Sequence, residues 1–177
     1  ELSKQMELAY LKAIDAHILA GLISGGTTGT KDYAQTSAGI IDFVSTESAL
    51  AYSGTSYFAK NILAGTGMWT TLMGATDTTG RPIYNATNPW NAAGESNPTS
   101  IRGNVLGLDL YVSNKAVSTN IDESAFIVVP SSVAIYESPR LQLSANATAT
   151  GEISTMLYGY LACGVTVAGG VRRFNLT

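Results

Sequence analysis

GNVLGLDLYVS, residues 103–113, alternates apolar and mixed positions. Leu106, Leu108, Leu110 and Val112 fall on one side at a period of two. Val105, Gly107, Asp109, Tyr111 and Ser113 fall on the other. That alternation predicts one strand with a dry face and a mixed face. Upstream, TDTTGRPIYNATNPWNAAGESNP, from Thr76, is dense in Gly, Pro, Asn and Asp, the residues of turns. Downstream, AFIVVP (125–130) is a continuous apolar run stopped by Pro130, which predicts a fully buried central strand. YESPRLQLSANATATGEISTMLYGY (136–160) follows and predicts a hairpin. Leu141, Leu143 and Ala145 alternate outward from Pro139, NATATG turns the chain, and Ile153, Thr155, Leu157, Gly159 and Leu161 continue one face. Gly159 and Gly164 are expected to bend the second arm so that Val165 and Val167 rejoin the first sheet.

The rest of the chain supplies helices. Residues 1–22, ELSKQMELAYLKAIDAHILAGL, hold strong helix formers, no proline, and Gly21 as a stop. Their apolar positions form a wide arc, which predicts packing on more than one side. The helix is the long amphipathic element able to cover the hairpin of 139–161, over Leu141, Leu143, Ile153 and Leu157. Residues 23–37, ISGGTTGTKDYAQTS, read as a flexible connector, and 38–53 as a second helix with Ile40, Phe43, Val44 and Leu50 near one face. Asn61–Ala64 reads as a short strand, and TGMWTTLM as a short helix capped by Thr66.

Of 177 residues, 45% are hydrophobic but only 13% are charged, against about 25% in an ordinary soluble domain. A chain so poor in charge is suited to hiding surface against neighbours. Net charge is −3 and the ten Lys and Arg residues are scattered, with no basic run beyond Arg172–Arg173. A sequence-independent nucleic-acid binder needs a basic stripe to neutralise phosphates, so direct DNA binding is disfavoured. A weakly acidic wall suits a container through which DNA moves without sticking. No stretch reads as a membrane span or a signal peptide, and no membrane partner is expected.

Chemistry is sparse. His17 is the one histidine, mid-helix among apolar residues, and reads as a packing or solvent-facing side chain. Cys163, the one cysteine, sits in a strand as a small hydrophobe, with no base beside it. The glycines before Lys31 lack the P-loop spacing. Gly65-Thr66-Gly67 lacks the rest of a dinucleotide fingerprint, since its sixth position is Thr70. No carboxylate pair has a spacing suited to acid–base work or a metal cage. The sequons at Asn85, Asn146 and Asn175 carry no weight without a secretory signal. No catalytic residue, cofactor or metal is assigned.

In their order, these pieces resemble the C-terminal part of the major capsid proteins of tailed phages, the Hong Kong 97-type fold. There, a Gly-apolar-Pro-Val strand follows a TGRPLY-like turn, matched here by Thr79-Gly80-Arg81-Pro82-Ile83-Tyr84. An Ile-Tyr-x-x-Pro-Arg corner is matched by Ile135-Tyr136-Glu137-Ser138-Pro139-Arg140, and a core tryptophan by Trp69. Asp109 stands where the family commonly has proline. By the resemblance this position is an edge or bulge where no backbone N–H is required, and Asp109→Pro is expected to be tolerated.

The resemblance implies an α+β fold divided into a peripheral part (1–23 and 135–162, spine helix and β-hairpin) and an axial-like domain (24–134 and 163–177). The family's N-terminal arm and extended loop would precede residue 1, so the chain is expected to be a fragment or processed product, monomeric or a small ring in solution. The implied function is a structural shell subunit, assembling into pentamers and hexamers around double-stranded DNA in a virion capsid made in the host cytoplasm. Its partners would be copies of itself, with scaffold, portal or decoration proteins as further candidates. Subunit-interface candidates are Trp90, Glu137, Arg140, Asn146 and Glu152. An encapsulin-like compartment shell shares the fold, and a non-catalytic α+β binding module is the alternative from another class.

Overall fold

The computed structural model describes residues 2–29, 31–85, 101–116, 124–144 and 155–174. Helix α1 (Leu2–Gly25) leads into the two-residue strand β1 (Thr27–Thr28). Helix α2 (Ser37–Thr55) starts where the Thr36 hydroxyl accepts a hydrogen bond from the Gly39 N–H at 3.3 Å. Strand β2 (Asn61–Gly65), helix α3 (Thr66–Gly74) and strand β3 (Tyr84–Asn85) follow. Next come β4 (Ile101–Val105), β5 (Leu108–Ser113) and β6 (Ala125–Val128). After a 3-10 turn at Pro130–Ser132 run β7 (Val133–Glu137), β8 (Leu141–Ser144), β9 (Thr155–Tyr158) and β10 (Leu161–Val165). A second 3-10 turn, Ala168–Gly170, delivers β11 (Val171–Arg173).

Seven strands form one mixed sheet in the order β1-β11-β6-β2-β5-β4-β3, with β1–β11 and β2–β5 parallel. Successive side chains of a strand point to opposite faces, and here both faces are apolar. Ile62, Ala64, Leu110, Ala125 and Ile127 meet Tyr33, Ile40, Phe43, Val44, Met68, Leu72 and Phe174 on the α2–α3 side. Phe126, Leu63, Val128 and Val171 face Ile18, Leu19 and Leu22 of α1 on the other. The buried run predicted at 125–129 is therefore the sheet's interior strand β6, between β11 and β2. Burying each such side chain is worth about 1.5–3 kcal/mol, which makes the two-sided sheet the main source of stability.

The stretch 103–113 is not one strand. Leu106 and Gly107 have φ of 50° and 90°, the two positive values of a type I′ turn, and Val105 pairs with Leu108 across it. The Gly107 N–H donates to Asn104 Oδ1 at 2.9 Å. Val105, Leu108 and Leu110 point into the core, while Leu106 is turned out at the tip and is 45% exposed. Asp109 also departs from expectation. Strand β5 lies between β2 and β4, and the Asp109 N–H donates to the Lys60 carbonyl at 2.9 Å. The ladder uses this N–H, so the position is neither edge nor bulge.

Other boundaries shift for local reasons. The expected connector at 23–37 carries the end of α1 and strand β1, whose Thr27 and Thr28 pair with Arg172 and Arg173. Thr66 opens α3 as a helical residue, with Gly65 as a cap that makes no side-chain hydrogen bond. The final hairpin is longer than read. Strands β7 and β10 pair from Val133↔Val165 to Glu137↔Leu161, and β8–β9 continues beyond a joint at 138–140 and 159–160. At the joint, Ser138 N–H donates to the Tyr160 carbonyl and Tyr160 N–H to the Ser138 hydroxyl, both at 2.8 Å. Gly164 stays in register with Ala134, and it is β11, not Val165 and Val167, that rejoins the sheet.

Helix α1 runs along β10. A Cβ on Gly21 would lie 3.0 Å from Cys163 Sγ and one on Gly25 2.8 Å from Val165, so small residues set the close approach. The helix thus covers β10 first and also meets β9. Leu157 is half-buried, whereas Ile153 and the side chains of Leu141 and Leu143 lie outside the described residues. The apolar arc of α1 packs on two sides, against the sheet through Ile18, Leu19 and Leu22 and against β10, while its outer part stays open at Leu8 and Leu11. By length and composition Lys4–Gly25 could also cross a membrane, against the sequence reading. Here that segment lies packed on β10.

Two outcomes are expected in urea denaturation. Asp109→Pro removes an interior ladder bond and leaves the Lys60 carbonyl unpaired, at a cost of about 1–3 kcal/mol. Leu106→Asn, which suits a positive φ, should raise stability by about 1 kcal/mol.

Candidate functional site

Glu137 and Arg140 flank the hairpin joint, and the structure brings both against α1. Glu137 Oε1 accepts from the Tyr10 hydroxyl at 3.3 Å. Arg140 Nη1 meets Glu7 Oε1 at 3.1 Å, and its guanidinium lies 5.7 Å from the centre of the Tyr10 ring. Desolvation, then the charge and hydrogen bond of Glu137, push the Tyr10 hydroxyl above its ordinary range, while Arg140 opposes the shift. These contacts tie helix to hairpin inside one chain. Around them Tyr136 and Tyr160 are 72% and 74% exposed, and Ile135 is open beside them. Trp90, Asn146 and Glu152 lie outside the described residues.

Between α1, the α1 face of the sheet and β7 runs a groove of about 430 Å³. Its walls are apolar, from Ile18, Leu22, Leu63, Tyr111, Val133 and Ile135, with Asp15 at the rim. At the opposite side of the sheet, Tyr52 in the last turns of α2 and Phe58 just after the helix stack at 4.5 Å on the surface. Exposed aromatic and aliphatic groups therefore occur on both sides of the molecule.

The one buried carboxylate among the described residues is Glu47 of α2. Its Oε1 accepts from Tyr33 Oη at 2.6 Å, and its Oε2 lies 3.7 Å from Arg172 Nη1, an ion pair too long for a hydrogen bond. It fastens α2 to β11, and on the other face of that strand Arg173 reaches the Ile23 carbonyl at 3.3 Å and the Thr28 hydroxyl. No spacing rule marks a lone Glu in an apolar helix face as a fastener. Its position at Phe43+4, inside the apolar arc, was the available signal.

His17 is exposed on α1, and Cys163 packs its Sγ 3.9 Å from the Ile18 carbonyl, where burial pushes the thiol up. Among the described residues no three His, Cys, Asp or Glu side chains are grouped to hold a metal.

Taken together, the mixed seven-stranded sheet, flanking helices and long hairpin form an α+β capsid fold. No protein-family model matches the chain and no curated protein matches its sequence. Solved structures do. A chain of Mycobacterium phage Che8 matches at TM-score 0.73 and 18% identity, over 98% of this chain and 62% of that one. The virus-like particle from Pyrococcus furiosus matches at 0.64 and 6% identity, over 93% and 63%. The capsid of a GTA particle matches at 0.56 and 14% identity, over 77% and 44%. At these identities the likeness is one of fold, and the chain spans less than two thirds of each of those proteins.

Glu47→Ala should cost about 3–5 kcal/mol in chemical denaturation, because it strands Arg172 in a nearly dry site. Glu47→Gln, which keeps an acceptor for Tyr33, should cost less.

Proposed function

We propose that the chain is the folded body of a phage major capsid subunit, acting by association and not by catalysis. The observation that carries this reading is the fold match over 98% of the chain to a Mycobacterium phage Che8 chain, joined by the capsid of a GTA particle. In the Hong Kong 97-type scheme, α1 with the hairpin is the peripheral part (1–23 and 135–162). The sheet with α2 and α3 is the axial-like domain (24–134 and 163–177). Copies meeting through unlike patches close into pentamers and hexamers. Low charge, exposed aromatics on two sides and an open apolar arc on α1 suit such contacts. Glu137 and Arg140 take part by fixing the hairpin's angle to α1; Trp90, Asn146 and Glu152 remain contact candidates. The shell would enclose double-stranded DNA in the virion without binding its sequence. An encapsulin-like compartment is the nearest second reading, drawing on the virus-like particle of Pyrococcus furiosus. The phage and GTA matches favour the capsid.

The protein expressed from its natural start should form closed particles with diameters on the order of many subunits, seen by light scattering and electron microscopy. A protein that stays monomeric under every assembly condition while binding a small ligand would overturn the shell reading.

A further inference from the structure

Leu106 occupies the first central position of a type I′ turn, where φ is 50° and Asn or Gly is the residue of choice. A leucine there strains the backbone, yet its side chain is 45% exposed instead of buried like those of Val105 and Leu108 on either side of the turn. Local preference is broken while nearly half of the side chain stays open to solvent, a pattern typical of functional positions. Leu106 projects beside Ser45 and Ala59 on the α2 side of the sheet. The groove, left open by the described residues, lies on the α1 side, between Ile18, Leu22, Leu63 and Ile135. Knob and groove belong to opposite faces, so they can meet only between two copies. The charges agree: Lys60, exposed next to Ala59, accompanies the knob, and Asp15 stands at the rim of the groove.

We infer that the Leu106–Gly107 turn is an assembly knob, seated in the α1–β7 groove of a second copy of this chain, with Lys60 facing Asp15 across the contact. The inference rests on the shell reading and names one of its contacts. The contact is heterologous, since one copy gives the turn and the next gives the groove; repeated, it generates a ring. The knob accepts a strained turn in the free subunit in exchange for an apolar anchor in the assembled one.

The test exploits opposite signs. In the protein expressed from its natural start, Leu106→Asn and Leu106→Gly should raise the urea midpoint, because both relax the turn, yet raise the concentration needed for assembly at least tenfold. A merely structural leucine would move stability and assembly in the same direction. Circular dichroism confirms that the variants fold, and either variant alone suffices. In a Cys163→Ser background, a mixture of Leu106→Cys chains and Ile135→Cys chains should form disulfide-linked dimers on oxidation, while each chain alone should not. Unchanged assembly in both Leu106 variants, or cross-links in Leu106→Cys alone, overturns the knob while leaving the shell reading standing. Failure of the unmodified protein to self-associate overturns both.

Discussion

A strand that is apolar on both faces has to be covered twice, and β6 imposes that demand on everything around it. Ala125 and Ile127 require α2 and α3 on one side; Phe126 and Val128 require α1 on the other. The chain supplies these covers from distant places, so the fold is a sandwich of helices about a mixed sheet. Glu47 adds a polar fastener in the thicker layer. Its carboxylate stands between Tyr33 and Arg172, so a slip of α2 would break the hydrogen bond to one and draw the charge away from the other.

The two covers are unequal. The α2–α3 side is filled by an aromatic group, with Phe43 and Phe174 edge to face at 5.0 Å and Tyr33 against both. The α1 side is thin, because α1 also has to follow β10 and is held near it by Gly21 and Gly25. Among the described residues of that helix, only Leu19 and Leu22 are fully buried. The leftover groove and the bare Leu8 and Leu11 follow from one helix serving a sheet and a hairpin at once.

Helices and the buried strand were legible because their signals are local and long: α1, α2 and β6 fall within a few residues of the apolar patterns that predict them. The hairpin at 101–113 was not. A two-residue turn interrupts the alternation so briefly that Leu106 continues the apparent stripe of Leu108 and Leu110, and the period of two hides the reversal. Gly107 was the visible cue, and leucine in place of asparagine before it removed the usual one. Asp109 failed for a different reason: its expectation was carried over from a resemblance and not from its own neighbours, and here the Lys60 carbonyl claims the amide. The interface candidates Glu137 and Arg140 were legible as a corner, but their partners Glu7 and Tyr10 lie about 130 residues away, a pairing no local pattern contains.

The pairing of β11 with both β1 and β6 has a consequence for biosynthesis. Arg172 must reach Thr27 and Ile127, so the interior strand lacks one neighbour until roughly residue 173 has left the ribosome. Until then the α1 and α2 segments wait with apolar faces uncovered, and parallel, long-range pairings are slow to form. A nascent chain of this design cannot lock into shape piecemeal. Its exposed apolar surfaces take their final form only after its own sheet is complete, which places folding ahead of any association.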